Sequence, residues 1–474
     1  MLELYDINMV EAAPSQLELK RDVLSLTRLS IQGLAVIGPS ITVAILITGI
    51  AGVALSATPL VFIIATLAVL INANTAIQFS KHISSAGGYF SYVSQGLGPK
   101  IGIMAGLYQL FYQVPNVAFL SLWNGFYIGA IYSFFTGMSV SVYAMLGIAF
   151  LTILFYFAVQ YIGIRTAVNF NYVTGLIEAA FLLIISFAII ALSGSHNTAS
   201  VFLPGPAGLH GVGLGMIFAL LSYGGYTTVV SLGEEAKKPK ETISRAIIFT
   251  VVLAGIIFVI SSYALTVGWG VNNMSAFAAL PLPGFTVVDS KLGIVAAGIL
   301  AFIVLSSNLN AVNGQMVNVS RLVYRMSRDG VLPSSLGRVH VRYRSPYTSL
   351  IFLTMVSTVV MLIAFFLVTP LETAVFLLAT FATVGTIMVH TLANAAVMNY
   401  YRKKKFSTLF HGILPVLGSV LILYALYASI YPFVFPFYIA PIALLLWTLF
   451  SLGFIFAFSR KHPDKLQEAG KFSL

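Results

Sequence analysis

Apolar residues run through this chain in long blocks, separated by short polar segments that carry glycine and proline. The blocks are Leu26–Val53, Thr58–Ser80, Ile101–Phe135, Val140–Ile162, Ala167–Leu192, Val212–Val230, Ile247–Gly270, Gly293–Gln315, Tyr347–Val368, Ala374–Met398, Phe410–Ile430 and Phe437–Phe458. Each is roughly 20 residues or more, the length an α-helix needs to cross a hydrocarbon core of about 30 Å. The pattern predicts an all-α integral membrane protein of twelve transmembrane helices. A β-barrel would read as short alternating segments, and the sequence has none.

Composition agrees: 59% of residues are hydrophobic and 8% charged, where soluble domains carry about 25% charged residues. The placement of charge then sets the topology. Twelve crossings put both termini on one side, and on that side fall all of the 25 Lys and Arg residues except Lys291. They cluster at the N-terminal segment, Lys81 and Lys100, Arg165, Lys237 to Arg245, Arg321 to Arg344, Arg402 to Lys405, and Arg460 to Lys471. Basic loops are retained in the cytoplasm during insertion, so both termini are expected there, in a multi-pass protein of the cell membrane. A miscounted span would scatter these charges over both faces. The net charge of +11 follows from loops facing anionic headgroups and calls for no nucleic acid. With no cysteine, disulfides, thiolate metal sites and cysteine nucleophiles are excluded.

The N-terminal residues are polar and mixed in charge, unlike a cleavable signal. Gln16–Ser25 reads as a short surface helix or as a solvated tail. The organisation expected is a segment 1–25, a core of ten spans over 26–398, two added spans over 399–459 and a tail 460–474. No loop is long enough for a soluble domain. Ser193–Gly211 and Val271–Gly293 read as short irregular loops on the far side.

Two spans are interrupted. The first carries Gly38-Pro39-Ser40 near its middle, and the sixth carries Ser222-Tyr223-Gly224-Gly225. Proline removes an N–H and its ring opposes the preceding turn. Each glycine weakens a helix by about 1 kcal/mol relative to alanine. Broken backbone at membrane depth is tolerated where it is buried in protein or lines a watery cavity. Breaks in matching spans of two inverted halves point to a transporter site. A proline kink and a Gly-Gly packing contact are the plainer alternatives.

Around these breaks the chain resembles the amino acid–polyamine–organocation superfamily of transporters. Ile37-Gly38-Pro39-Ser40-Ile41 is similar to its glycine-rich break, and Ser85-Ala86-Gly87-Gly88-Tyr89 to its S-A-G-G turn. Phe218 through Tyr223-Gly224-Gly225-Tyr226 to Glu234-Glu235 and Lys238-Pro239 resembles its sixth span. Ser320-Arg321, Tyr324 and Arg328-Asp329-Gly330 with Leu332-Pro333 form the most specific likeness. The resemblance covers roughly residues 25–400. It implies a five-plus-five inverted repeat of the leucine-transporter type plus two C-terminal helices, with alternating access around a site between spans 1, 3, 6 and 8.

A broken helix leaves free N–H groups and a positive dipole end where its second half begins. Amides near Ser40, Ile41 and Thr42 could then hold a carboxylate, and carbonyls near Ser222 and Tyr223 an ammonium. The candidate substrate residues are Ile37, Gly38, Pro39, Ser40, Ile41, Ser222, Tyr223, Gly224 and Gly225. Gln113 of span 3 and Asn310 and Asn313 of span 8 join them, because amides at membrane depth need partners. Asn308 and Gln315, and Gln109 and Asn116, extend the same polar faces. These amides serve equally as hydrogen bonds between helices. Tyr223 and Tyr226 occupy positions where the superfamily has gating aromatics, or else simply pack. Thr227 stands where many members carry an acid, which weighs against a strongly cationic substrate.

Glu178 is the only acid inside the bilayer by this topology, and an intramembrane carboxylate is a functional candidate. Desolvation favours its uncharged form, which suits a proton carrier. It could instead hold Na⁺ with Ser306 or Ser307, or be hydrogen-bonded structurally. His390 is a weaker candidate of the same kind. The expectation is a secondary transporter of amino acids, neutral ones favoured, working by proton symport or exchange, without cofactor or metal and not an enzyme. A carrier of amines or other small organic solutes, and a receptor or channel of transporter fold, are the rivals. Nothing in the sequence sets an oligomeric state.

Overall fold

The computed structural model describes residues 19, 21–280, 282–430 and 435–470. Among them every regular element is helical. The α-helices in chain order are α1 (Leu26–Ile37), α2 (Pro39–Ile41), α3 (Ile47–Ala54), α4 (Thr58–Ser80), α5 (Tyr89–Leu97) and α6 (Pro99–Thr136). There follow α7 (Val142–Tyr161), α8 (Ile164–Ser193), α9 (Gly208–Ser222), α10 (Pro239–Trp269), α11 (Met274–Ala278), α12 (Pro283–Leu292) and α13 (Ile294–Arg328). The last are α14 (Tyr347–Leu367), α15 (Leu371–Arg402), α16 (Leu414–Ile430), α17 (Ile439–Lys461) and α18 (Pro463–Glu468).

Ten helices among the described residues are long and apolar enough to cross a membrane. A pair bent by 43°, Ala199–Met216 with Phe218–Leu232, makes an eleventh, and Thr408–Tyr424 is a shorter apolar helix. Leu67, Leu151, Ile184, Phe302 and Leu367 are exposed on the outer faces of these helices, as lipid-facing side chains must be.

The interior is one principal apolar cluster drawn from nearly all the helices. Inside it α4 packs along α10, α6 along both α13 and α15, and α1 against α8, α10 and α13. Small residues permit these close approaches. A Cβ on Gly255 would lie 2.6 Å from Thr66, and one on Gly175 2.9 Å from Ala35.

Three segments differ from the sequence reading. Val271–Gly293 holds two helices, α11 and α12, rather than an irregular loop. Their apolar residues Met274, Phe277, Phe285 and Val288 are buried, so the segment packs down onto the bundle. Helix α13 continues past Gln315 to Arg328. The described part of Gln16–Ser25 is neither helix nor solvated tail; residues 16–18 and 20 lie outside the described residues. Val23 and Leu24 donate their N–H groups to the Glu235 carbonyl at 3.0 and 3.1 Å, and Leu19 and Leu24 are buried.

Candidate functional site

Helix α1 stops at Gly38, whose left-handed backbone (φ 67°) lets its N–H close back on the Leu34 carbonyl. Glycine adopts this conformation without the steric cost a side chain brings. Pro39 then starts the next stretch, which runs through a π-helical turn, Thr42–Leu46, into α3. The break expected at Gly38-Pro39-Ser40 is therefore present in the backbone.

The amides beyond it are all accounted for. Pro39 has none. Ile41 donates to the Gly38 carbonyl at 3.1 Å, and Thr42 to that of Pro39. Ser40 donates its N–H to Glu178 Oε1 at 2.8 Å. Its hydroxyl reaches the same oxygen at 2.9 Å and lies 3.4 Å from the Ile303 carbonyl. Ser307 donates to Oε1 as well, at 2.6 Å. Three donors thus converge on one carboxylate oxygen, while Oε2 has no hydrogen-bond partner. Glu178 is 1% exposed. The positive end of a helix and charge-assisted hydrogen bonds are what an ionised carboxylate requires in such a place. The donor expected to meet a substrate carboxylate is, in this conformation, held by a carboxylate of the chain itself. Ser306 is half-buried beside Ser307 and does not bond Glu178.

The second break follows α9. The chain turns over Tyr223–Gly225 and resumes as a 3₁₀ helix, Tyr226–Leu232. Gly225 has φ 137°. A Cβ there would stand 2.8 Å from the Val36 carbonyl carbon and 2.9 Å from the Ile37 nitrogen. The two breaks are therefore in backbone contact. Gly224 is exposed, with only the Leu221 carbonyl within 4 Å of a Cβ built on it. The carbonyls of Ser222 and Tyr223 accept no hydrogen bond among the described residues.

Both tyrosine hydroxyls are bonded to α4. Tyr223 shares a 2.6 Å hydrogen bond with Thr66 of α4 and stands edge-on to Phe258. The Tyr226 hydroxyl accepts from Asn72 of the same helix at 3.2 Å. Asn72 also reaches His390 at 3.4 Å. All three rings are buried.

The span-8 amides divide between neighbours. Asn308 donates to the Leu120 carbonyl and Asn124 of α6, both at 2.9 Å. Asn313 donates to Asn171 of α8 at 2.7 Å and to the Ala167 carbonyl at 2.9 Å. It accepts from Gln160 of α7 at 3.2 Å. Asn310 accepts from Thr174 at 2.8 Å through its side chain, leaving its Nδ2 unpartnered. Gln113 donates to Tyr112 and is fully buried. Asn310 and Asn313 thus tie α13 to α8 and α7, whereas Ser307, on another face of α13, meets Glu178.

At the end carrying the basic loops, Glu235 and Arg321 form a buried pair with two bonds, 2.8 and 3.1 Å. Arg325 lies 3.5 Å from Glu234 and 3.0 Å from Asp329. Glu234 also accepts the Ala86 N–H at 3.0 Å. Asp329 accepts the Gly470 N–H at 2.7 Å. With the Val23 and Leu24 amides on the Glu235 carbonyl, these contacts join the end of the second-break helix, the end of α13, the S-A-G-G turn and both terminal segments.

The amino acid permease family model matches residues 29–465. The chain belongs to the amino acid permease family. This permease is 24% identical to the branched-chain amino acid permease BcaP of Bacillus subtilis over 421 residues, 85% of each chain. It is 26% identical to the low-affinity putrescine importer PlaP of Escherichia coli over 308 residues, 62% of this chain and 64% of that one. A segment of 152 residues is 30% identical to the human large neutral amino acids transporter small subunit 2, covering 32% of this chain and 28% of that one. The family consists of membrane transporters rather than enzymes, and its substrates are small molecules such as amino acids.

Several partners in the permease were invisible as candidates. Asn124, Gln160, Asn171 and Thr174 complete the network around α13. Polar residues at membrane depth flagged them only generically, since a lone amide in an apolar block names no neighbour.

Proposed function

We propose that this permease is a secondary transporter of amino acids, neutral ones favoured, working by alternating access around the two breaks and coupled to protons at Glu178. The observation that carries the reading is the Glu178 carboxylate seated on the Ser40 amide at the first break. With Oε1 saturated by three donors, an arriving proton has Oε2 to bind. Protonation removes the charge that makes those bonds strong. The Ser40 amide and the helix end behind it then become available to the carboxylate of an amino acid. The open carbonyls of Ser222 and Tyr223 suit the ammonium group of the same molecule. Asn310 and Asn313 hold the surrounding helices in register, Gln113, bonded only within its own helix, keeps its Oε1 for the substrate, and Na⁺ at Glu178 and Ser307 is the alternative coupling ion.

Twelve crossings, with both termini cytoplasmic, complete the proposal. They are the ten long apolar helices, the bent pair and Thr408–Tyr424. Packing of α4 on α10 and of α6 on α13 supports an inverted repeat, because each pair would occupy equivalent places in its half. The contacts of Glu235 with Arg321, and of Glu234 and Asp329 with Arg325, close the cytoplasmic mouth in this conformation.

A second reading, a carrier of amines, is favoured by two observations. Pro39 offers no N–H and Glu178 already occupies that of Ser40, and one relative is a putrescine importer. Uptake into liposomes separates the readings. Labelled neutral amino acids should accumulate when the outside is acidified, and labelled amines should not compete. Glu178→Gln should abolish accumulation driven by the pH gradient while equilibrative exchange survives. Unaltered pH-driven accumulation in that variant would remove Glu178 from coupling, and competition by amines alone would replace the substrate class.

A further inference from the structure

A cavity of about 520 Å³ lies apart from both breaks, lined by Ala395, Met398, Asn399, Arg402 and Phe406. The first four recur at helical spacing on one face of α15, so the cavity is a groove along the last two turns of that helix. Its chemistry is graded. Ala395 and Met398 present apolar surface, Asn399 follows, and Arg402 closes the groove at its end. Phe406, 44% exposed, returns over it from the loop beyond. The seven steps from Ala395 to Arg402 rise by about 10 Å. Apolar lining that gives way to a cation over this distance is the profile of a lipid at an interface, acyl chain below and phosphate above.

The charge is uncommitted. The side chains of Arg402, Lys403 and Lys405 form no hydrogen bond or ion pair among the described residues. Lys404 is turned onto the Tyr400 ring, 3.8 Å from its centroid. The groove wall is also fixed: Asn399 donates to the Gly96 carbonyl at 2.6 Å, pinning α15 to α5. Positive loop charge alone is explained by membrane insertion. It does not explain a cavity ending on an unpaired guanidinium, whereas basic recesses at the ends of membrane helices hold anionic headgroups.

We propose that this groove binds one anionic phospholipid, its phosphate on Arg402 and an acyl chain along Met398 and Ala395. The full chain, purified in detergent with dioleoyl phosphatidylglycerol or phosphatidylcholine added, would be examined by native mass spectrometry. Wild type should retain one phosphatidylglycerol in preference to phosphatidylcholine. Arg402→Gln should weaken that retention about fivefold, the worth of one basic residue near an anionic surface, while Arg402→Lys keeps most of it. Met398→Trp leaves every charge in place and fills the groove, so it should lower retention as well. Equal retention of the two lipids would overturn the proposal. So would full retention in both Arg402→Gln and Met398→Trp, or displacement of the lipid by millimolar inorganic phosphate. A dimer abolished by Met398→Trp would give the groove to a second copy of the chain and overturn it too.

Discussion

Replacing Glu235 with glutamine removes one charge from a fully desolvated pair and leaves the Arg321 guanidinium buried. Arg321 is 2% exposed and Glu235 0%. After the change, Arg321 keeps the Val317 carbonyl at 3.3 Å and the Ser320 hydroxyl at 3.2 Å, both neutral acceptors. Breaking a buried pair by removing one partner costs about 3–5 kcal/mol. Glutamine retains an acceptor, which puts the change near the lower end, about 3 kcal/mol. That cost falls on the conformation in which the pair is made, which under the proposed function is the one closed at the basic-loop end. At 1.4 kcal/mol per tenfold, the population open at that mouth should rise roughly a hundredfold. The chain contains no cysteine, so a single introduced thiol reports without background. Ser231, 3% exposed, lies on the 3₁₀ helix between the second break and Glu235. In Ser231→Cys, an impermeant maleimide added from the basic-loop side should label Glu235→Gln about a hundred times faster, until the open form dominates. An unchanged or slower rate would refute the idea that this pair holds the mouth shut.

Further outcomes follow from the same contacts. A chain ended at His462 loses the Gly470 N–H to Asp329; a hydrogen bond to a charged group is worth about 1.5–3 kcal/mol, so labelling at position 231 should quicken by at least tenfold. Gly225→Ala places a Cβ 2.8 Å from the Val36 carbonyl carbon at φ 137°, and the yield of monodisperse protein should fall sharply in size-exclusion chromatography. Asn313→Leu leaves Asn171 Oδ1 without its donor and Gln160 with only the main-chain carbonyl of residue 313, and should lower stability by about 1–3 kcal/mol in thermal unfolding with uptake specificity retained. Tyr223→Phe removes only the bond to Thr66 and should leave substrate affinity within about threefold, since a hydrogen bond between neutral groups is worth near 1 kcal/mol; a large loss of affinity would return that ring to the site.

The breaks were legible in the sequence because their cause is local. Proline and paired glycines impose their conformation wherever they fall, and both interruptions stand at the expected residues. Glu178 was legible as an acid in an apolar block, and Ser307 was named beside it, but Ser40 was not: it is 138 residues away, and nothing in the sequence brings the two together. Helical spacing correctly gave Asn310 and Asn313 one face. It could not say that the face meets α8 and α7, because periodicity fixes a direction around one axis and leaves the neighbour undefined. The same limit applies to Tyr223 and Tyr226, whose hydroxyls were taken by Thr66 and Asn72 of α4. Counting spans was hardest where a helix bends, as between Met216 and Phe218, or starts as a π turn, as at Thr408–Ile413. There the apolar run and the backbone axis part company.

Val36 is gripped from two directions, by Gly225 across the second break and by Gly314 of α13, where a Cβ would fall 2.0 Å from its side chain. Neither glycine offers a soft cushion of methyl groups between itself and Val36. A hinge movement at one fracture must therefore push directly on the other and on the long helix behind it. The fit resembles a mortise more than an oiled bearing: the three parts travel together or the joint has to open.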